Sequence, residues 1–196
     1  MSTATTDPTL EALVPRGSAA RNVVLVLLAL ALLAAVWLLP PVLRPAVVTT
    51  SYGGGSVFPA ESREVTLTTL EPRGWGGVTV RGVDDVPGAH VVWAWVLEGD
   101  HVEGAVTTLA GLGAADWVAQ VIGAGDQDRL PRTVAAGRPA TLVVLWQVDD
   151  CATVATGSGG TDVHVTGRWG TSRVEQVMAG PIRAPGPAGD VTACLG

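Results

Sequence analysis

The residues able to do chemistry are few and scattered. Cys151 and Cys194 are the only thiols in a chain of 196 residues. Neither belongs to a Cys-x-x-Cys motif or stands at an obvious helix N-terminus, the settings that lower a thiol pKa and make a nucleophile. An even pair, one at the end of an apolar run and one near the last residue, points instead to a structural bridge formed outside the cytoplasm. Closing a loop of about 44 residues would remove unfolded-chain entropy equivalent to roughly 4 kcal/mol.

The three histidines, His90, His101 and His164, do not form a ligand set. No two are spaced i,i+2 or i,i+4, and no Cys stands at metal spacing from any of them. They read as ordinary surface histidines. Gly123-Ala-Gly-Asp-Gln-Asp128 has the look of a Gly-Asp calcium turn, with Asp126 and Asp128 as oxygen donors. Such loops act in tandem or with further carboxylates. A single copy reads as a solvated turn, so this pair is a weak metal candidate and no other metal or cofactor site is expected. Ser158 lies in Thr156-Gly-Ser-Gly-Gly160, but a nucleophile elbow needs Gly where Thr156 stands. Gly111-Leu-Gly113 lacks the third Gly and the strand-to-helix setting of a dinucleotide loop. The doublets Asp84-Asp85 and Asp149-Asp150 fall in turns, with nothing to mark an acid/base couple. No enzyme motif is left, and a non-catalytic protein without cofactor is expected.

Tryptophan offers the sharper signal, with seven Trp against one Tyr and one Phe. Trp93, Trp95 and Trp146 lie on strand-like runs and are expected in the core, while Trp117 is not assigned. Trp75 and Trp169 fall in expected turns beside Gly and Arg. An exposed indole flanked by hydrogen-bonding groups is a contact platform for a wall glycan or a protein partner. The competing reading folds each indole back over the end of the domain, where burial gains roughly 1.5 kcal/mol or more.

What positions these residues begins with Asn22–Leu39, NVVLVLLALALLAAVWLL, which holds no charge, no Gly and no Pro. Eighteen helical residues span roughly 27 Å, close to the hydrocarbon thickness of a bilayer. Ser18 could cap such a helix, and Arg21 could snorkel to the headgroups. Trp37 falls where an interfacial residue belongs, and Pro40-Pro41 is expected to end the helix because neither can donate an amide hydrogen. A buried core helix would show a polar face. A cleaved signal peptide would have a shorter apolar run followed by a small-x-small site. An uncleaved single-pass anchor fits better than either. Arg16, Arg21 and the α-amino group precede it, and Arg44 and Arg63 follow it, so flanking charge favours a cytoplasmic N-terminus only narrowly. The disulfide-capable, Lys-free remainder argues more strongly for an extracytoplasmic C-terminal domain at the cell membrane.

From Arg63 onward, short apolar runs alternate with Gly, Pro and Asp turns, the pattern of an all-β sandwich. Strands are expected over 65–70, with 78–82 returning as its hairpin partner, then over 89–97, 133–136 and 141–148. A late hairpin is expected from 161–166 and 172–178, with 191–194 rejoining the sheet. The run Ala89–Leu97 is apolar on both faces of a period-2 pattern and should be central. Residues 98–128 form a long excursion. Val102, Val106 and Leu109 have helical spacing that the intervening glycines oppose, and Asp116–Ile122 could form another strand.

Beyond Arg44 there are nine Arg against sixteen Asp plus Glu, a net charge of −7. An acidic domain without a basic cluster is a poor binder of nucleic acid, whose affinity rests on phosphate neutralisation. It is equally poor at adhering to anionic lipid by charge alone.

Three stretches, Leu70-Glu-Pro-Arg-Gly-Trp-Gly-Gly-Val-Thr-Val80, Ala136-Gly-Arg-Pro-Ala-Thr-Leu-Val-Val144 leading to Asp150-Cys151, and the terminal Cys194, give a likeness. On these the chain resembles uncharacterised actinobacterial single-pass envelope proteins with an immunoglobulin-like ectodomain. The resemblance implies a fold and a location and carries over no catalytic residue. The expectation is therefore a cytoplasmic disordered tail over 1–21, a transmembrane helix over 22–43, a stalk or first edge strand over 44–62, and an extracytoplasmic β-sandwich over 63–196. A binding or scaffolding module that contacts an envelope or membrane protein is the leading expectation. A ligand-sensing or solute-binding ectodomain comes second, and a cell-wall hydrolase third.

Overall fold

The computed structural model describes residues 19–43, 45–73, 76–102, 112–156 and 159–181. The chain divides into two units, Met1–Pro40 and Pro41–Gly196.

The apolar run forms one helix, α1 (Ala19–Leu43), which makes up the described part of the first unit and ends three residues beyond it. It continues through both prolines, one turn past the expected stop. Proline removes an amide donor but its fixed φ suits a helix, so Val42 and Leu43 can still reach back to Leu38 and Leu39. At about 1.5 Å per residue its 25 residues extend roughly 37 Å. Side chains are described only for residues 21–35 of it, a window shorter than a bilayer span, and among these described residues no helix is long and apolar enough to cross a membrane. Within the window, apolar side chains from Val23 to Leu33 lie exposed on every face.

The second unit is mainly β. Its strands are β1 (Ala46–Phe58), β2 (Arg63–Arg73), β3 (Val78–Val83), β4 (Ala89–Glu98), β5 (Arg132–Val134), β6 (Ala140–Val148), β7 (Gly160–Gly167) and β8 (Ser172–Met178). A short helix, α2 (Ala114–Trp117), runs on into a π turn over Val118–Ile122, and α3 (Cys151–Thr156) follows β6. Two antiparallel four-stranded sheets result, ordered β1-β2-β6-β4 and β5-β3-β7-β8. Residues 46–58 are thus an edge strand, the second of the two expected forms. The late hairpin is present as β7–β8, in seven consecutive pairs from Gly160↔Met178 to Thr166↔Ser172. The hairpin expected between 65–70 and 78–82 is not. β3 pairs with β5 and β7 in the other sheet, because the Gly-rich connection after Arg73 changes sheets instead of folding back.

The two sheets share one core. Leu70, Val96, Leu142, Val144 and Trp146 come from the first sheet, and Val78, Val80, Val163, Val165 and Val177 from the second. The opposite face of the first sheet is covered as well. Val65, Leu67, Trp95, Leu97, Val143 and Leu145 pack beneath Ala114, Trp117, Val118, Ile122 and Ala124. This second core accounts for the two apolar faces of β4 and for the near-continuous burial of β2 and β6. It also replaces the strand expected over 116–122: the segment lies across the sheet as a helical cover and does not extend it.

β4 departs from strict alternation. Its register with β6 shifts between Val91 and Trp93, so Val91 joins the inter-sheet core while Val92 turns to the other face. Beyond the shift, Trp93, Trp95 and Leu97 share one face. Trp95 is buried, but Trp93 is 41% exposed and is not the core residue expected. Its indole meets Trp95 edge-on at 6.0 Å and carries the Arg129 guanidinium 4.5 Å from the ring centroid.

Candidate functional site

Three side-chain groups could do chemistry, and each is set by the strands that carry it. The first gathers the aspartate doublets and two of the histidines. Asp84-Asp85 follow β3 and Asp149-Asp150 follow β6, and each doublet divides its work. Asp85 accepts the Val91 amide at 2.7 Å, and Asp150 accepts the amides of Ala152 and Thr153 and the Thr153 hydroxyl at the start of α3. Those bonds, the Thr153 hydroxyl foremost, hold the Asp150 carboxyl below the usual carboxylate range. The other member of each doublet faces an imidazole. Asp149 Oδ2 lies 2.7 Å from His90 Nδ1, and Asp84 Oδ1 lies 2.8 Å from His164 Nε2. All four of these side chains are about half exposed, so the pairs are solvated and contribute little to stability. The loops are held together by backbone: the Gly88 carbonyl accepts the amides of both Asp149 and Asp150. Gly88 has φ +85°, and a Cβ there would stand 2.6 Å from the Asp150 carbonyl oxygen, so only glycine fits.

His101 lies apart. Its ring meets the Glu98 carbonyl at 3.0 Å and its amide donates to Thr141 Oγ1. Among the described residues no group of three or more His, Cys, Asp or Glu is placed to hold a metal. Asp126 and Asp128 are each turned to an arginine, Asp126 to Arg129 at 3.1 Å and Asp128 to Arg132 at 3.8 Å. Asp128 also accepts the Gly125 amide. Both carboxylates serve their own turn.

The second group is the tryptophan turns. Trp169 stands at the β7–β8 turn and is 63% exposed, the most exposed large apolar side chain of the second unit among those described. A Cβ on Gly76 would lie 2.7 Å from Arg168 Cδ, so the β2–β3 connection meets the β7–β8 turn at Arg168. Trp75, Gly111, Ser158 and Cys194 lie outside the described residues. Cys151 opens α3, packs against the inter-sheet core and is not a free thiol. Trp146 and Trp117 are fully buried.

The third group escaped the sequence reading. Residues 178–180 run past the polar side of β2. Thr66 Oγ1 and Trp146 Nε1 donate to the Ala179 carbonyl at 2.6 and 3.0 Å, Thr68 Oγ1 donates to Met178, and Tyr52 Oη donates to Gly180 at 2.8 Å. Glu64 sits in the same row with 1% exposure. Burial, and then the Glu64 charge, push the Tyr52 phenol pKa far up. Alternation along β2 could have placed Glu64, Thr66 and Thr68 together, but nothing in the sequence brings 178–180 to them. Nearby, Val86, Pro87, Val154, Gly159, Gly160, Gly180 and Pro181 line a cleft of about 130 Å³, below the size of ordinary ligand sites.

These arrangements fix loops, join sheets and present one indole. No protein family, curated protein or solved structure matches the chain.

Proposed function

We propose that the chain is a single-pass membrane protein with a cytoplasmic N-terminus and an extracytoplasmic, immunoglobulin-like sandwich that binds or scaffolds a partner at the cell envelope without catalysis. The observation that carries this reading is α1. Its 25 residues hold no charge after Arg21, and its Val and Leu side chains from Val23 to Leu33 are 55–60% exposed all round the helix. A helix with no polar face finds its solvent in lipid.

The strand order supports the immunoglobulin-like reading. β1-β2-β6-β4 follows the A-B-E-D order of such domains, and β3-β7-β8 follows C-F-G, with β5 added beside β3. There are two departures. The core tryptophan, Trp146, sits on β6 in place of the C strand, and Cys151 stands on α3, not on β2 or β7. A Cys151–Cys194 bridge is part of the proposal and favours the oxidising side of the membrane.

Topology and role are tested on intact cells. An impermeant thiol reagent should leave both cysteines unlabelled until a reductant is added. Labelling without reductant would undo the bridge, and no labelling after an impermeant reductant would undo the orientation. Extraction in mild detergent after cross-linking should then recover a reproducible envelope partner, and a partner-free particle would count against scaffolding. A ligand-sensing role is favoured by one observation, the exposed Trp169 beside Arg168. If wall glycan binds, Trp169→Ala should abolish binding, and unchanged binding removes that residue from the reading.

A further inference from the structure

The two ends of the β unit differ in charge, and strand pairing shows which residues share an end. β1 begins at Ala46, opposite Arg73 at the close of β2. β3 begins at Val78, opposite Gly167 at the close of β7 and Val134 at the close of β5. Arg73, the β5–β6 turn with Arg138, and the β7–β8 turn with Arg168 therefore lie at the end where the chain enters from α1. The doublets Asp84-Asp85 and Asp149-Asp150, which follow β3 and β6, lie at the other. Within the β7–β8 turn the Gly167 amide donates to the Thr171 carbonyl at 2.9 Å and the Gly170 amide to the Gly167 carbonyl at 3.0 Å. The closed tip Arg168-Trp169-Gly170 is exposed, Trp169 to 63%. Its base is packed on the entering chain: a Cβ on Gly167 would stand 3.3 Å from the buried Pro45.

Pro45 is two residues past Leu43, the last residue of α1, and two residues of chain reach at most about 7 Å. In the single-pass reading, on which this inference rests, Arg44 is the first charge after Arg21, so the edge of the hydrocarbon falls beside Pro45. An indole is favoured at that boundary because its ring is apolar and its N–H stays hydrated. We infer that the β7–β8 turn is a second membrane contact, with Trp169 seated in the phospholipid headgroup region beside the anchor and Arg168 and Arg73 on lipid phosphates. The domain is acidic as a whole, but this part of it is not. The Arg73 side chain is 62% exposed, with Glu71 3.8 Å away, while Glu98 and Asp100 belong to β4 and the chain after it, at the opposite edge of the first sheet from β1. A sugar could stack on the same indole, but nothing places one beside Pro45, whereas lipid borders Pro45 in any single-pass chain. Seating the turn limits the swing of the domain on its short link and turns the aspartate doublets away from the lipid.

The test reconstitutes the full chain in vesicles of phosphatidylcholine and phosphatidylglycerol, one set brominated on the acyl chains just below the glycerol, and reads tryptophan emission. The contribution of one indole is the difference between the parent and Trp37→Phe, Trp93→Phe or Trp169→Phe. Brominated lipid should quench most of the Trp37 and Trp169 contributions. Trp93, exposed but roughly 17 Å along β4 from Glu98, should keep its emission. Arg73→Glu with Arg168→Glu should restore much of the Trp169 emission, because basic residues are what an anionic lipid surface attracts. Quenching of Trp37 without Trp169 would overturn the inference and leave the span in place. Absence of quenching at both would remove the single-pass reading and the inference with it. Equal quenching of Trp93 and Trp169 would mean that the domain lies flat on lipid, and would overturn the seated turn. So would a Trp169 contribution that a soluble chito-oligosaccharide shields from aqueous iodide while brominated lipid leaves it untouched, which would assign the indole to glycan.

Discussion

Tyr52 shows most directly how one side chain reports on the fold. It is the only tyrosine in the chain, and its hydroxyl binds the Gly180 carbonyl beside the buried Glu64. A phenol pKa raised by burial means that the folded state holds its proton more tightly than the unfolded chain. The associated stability is fully present below the ordinary tyrosine value of about 10 and is lost as pH rises above it. Denaturant titrations from neutral to strongly alkaline pH should show that fall. Tyr52→Phe should flatten the alkaline limb, and phenolate absorbance should not rise near pH ~10 while the protein stays folded. Ionisation at the ordinary value would mean the phenol is open to water. Trp146 belongs to the same row: its indole N–H reaches both Thr66 and Ala179, which makes this indole a tie between sheets as well as core volume.

Among the elements, the cover over the first sheet closes the second core. Trp117 lies fully buried against Phe58, edge-on at 6.1 Å. Trp117→Ala should cost about 3–5 kcal/mol in chemical denaturation, as large-to-small changes in a filled core do. Amides of β2 and β6 should exchange faster in the variant, because one face of their sheet loses its cover. A cost below about 0.5 kcal/mol would mean the cover is dispensable. At the start of α3, the depressed Asp150 pKa has the opposite sign to that of Tyr52. Its stabilisation is present above the usual carboxylate value and is lost as pH falls through the lowered one. Asp150→Ala should lower stability at neutral pH and reduce its loss on acidification; an unchanged acid limb would remove Asp150 as the cap.

For the second unit as a whole, the proposed Cys151–Cys194 bridge sets a separate test. Reduction, or Cys151→Ser, should lower stability by roughly 2–4 kcal/mol and free the residues after Pro181 for proteolysis while the paired strands persist. Equal stability of the reduced and oxidised protein would argue that the bridge does not close this loop.

Local pattern was enough for much of this. The apolar run of α1, the strands β4, β6, β7 and β8, and the position of the β7–β8 turn all follow from neighbours a few residues apart, whereas local pattern leaves the exposure of Trp169 open between a contact platform and a buried cap. Period, turn residues and charge act over that range. Other features needed residues distant in the chain to meet. Alternation along β4 set Val91 on the face of Trp95 and Leu97, and Val91 lies on the other face because a register shift against β6 is a property of two strands. Residues 114–122 carry too few consecutive signals to be called helical, and take that form because a bare apolar face of the first sheet is there to be covered. The doublets Asp84-Asp85 and Asp149-Asp150 read as turns and lie in the connections that follow β3 and β6, but their histidine partners stand 80 and 59 residues away. The single-chain pattern also joined β2 to β3 as a hairpin. In the folded chain β3 goes to the second sheet, because burying both faces of β2 under two cores removes more apolar surface from water than a local hairpin would.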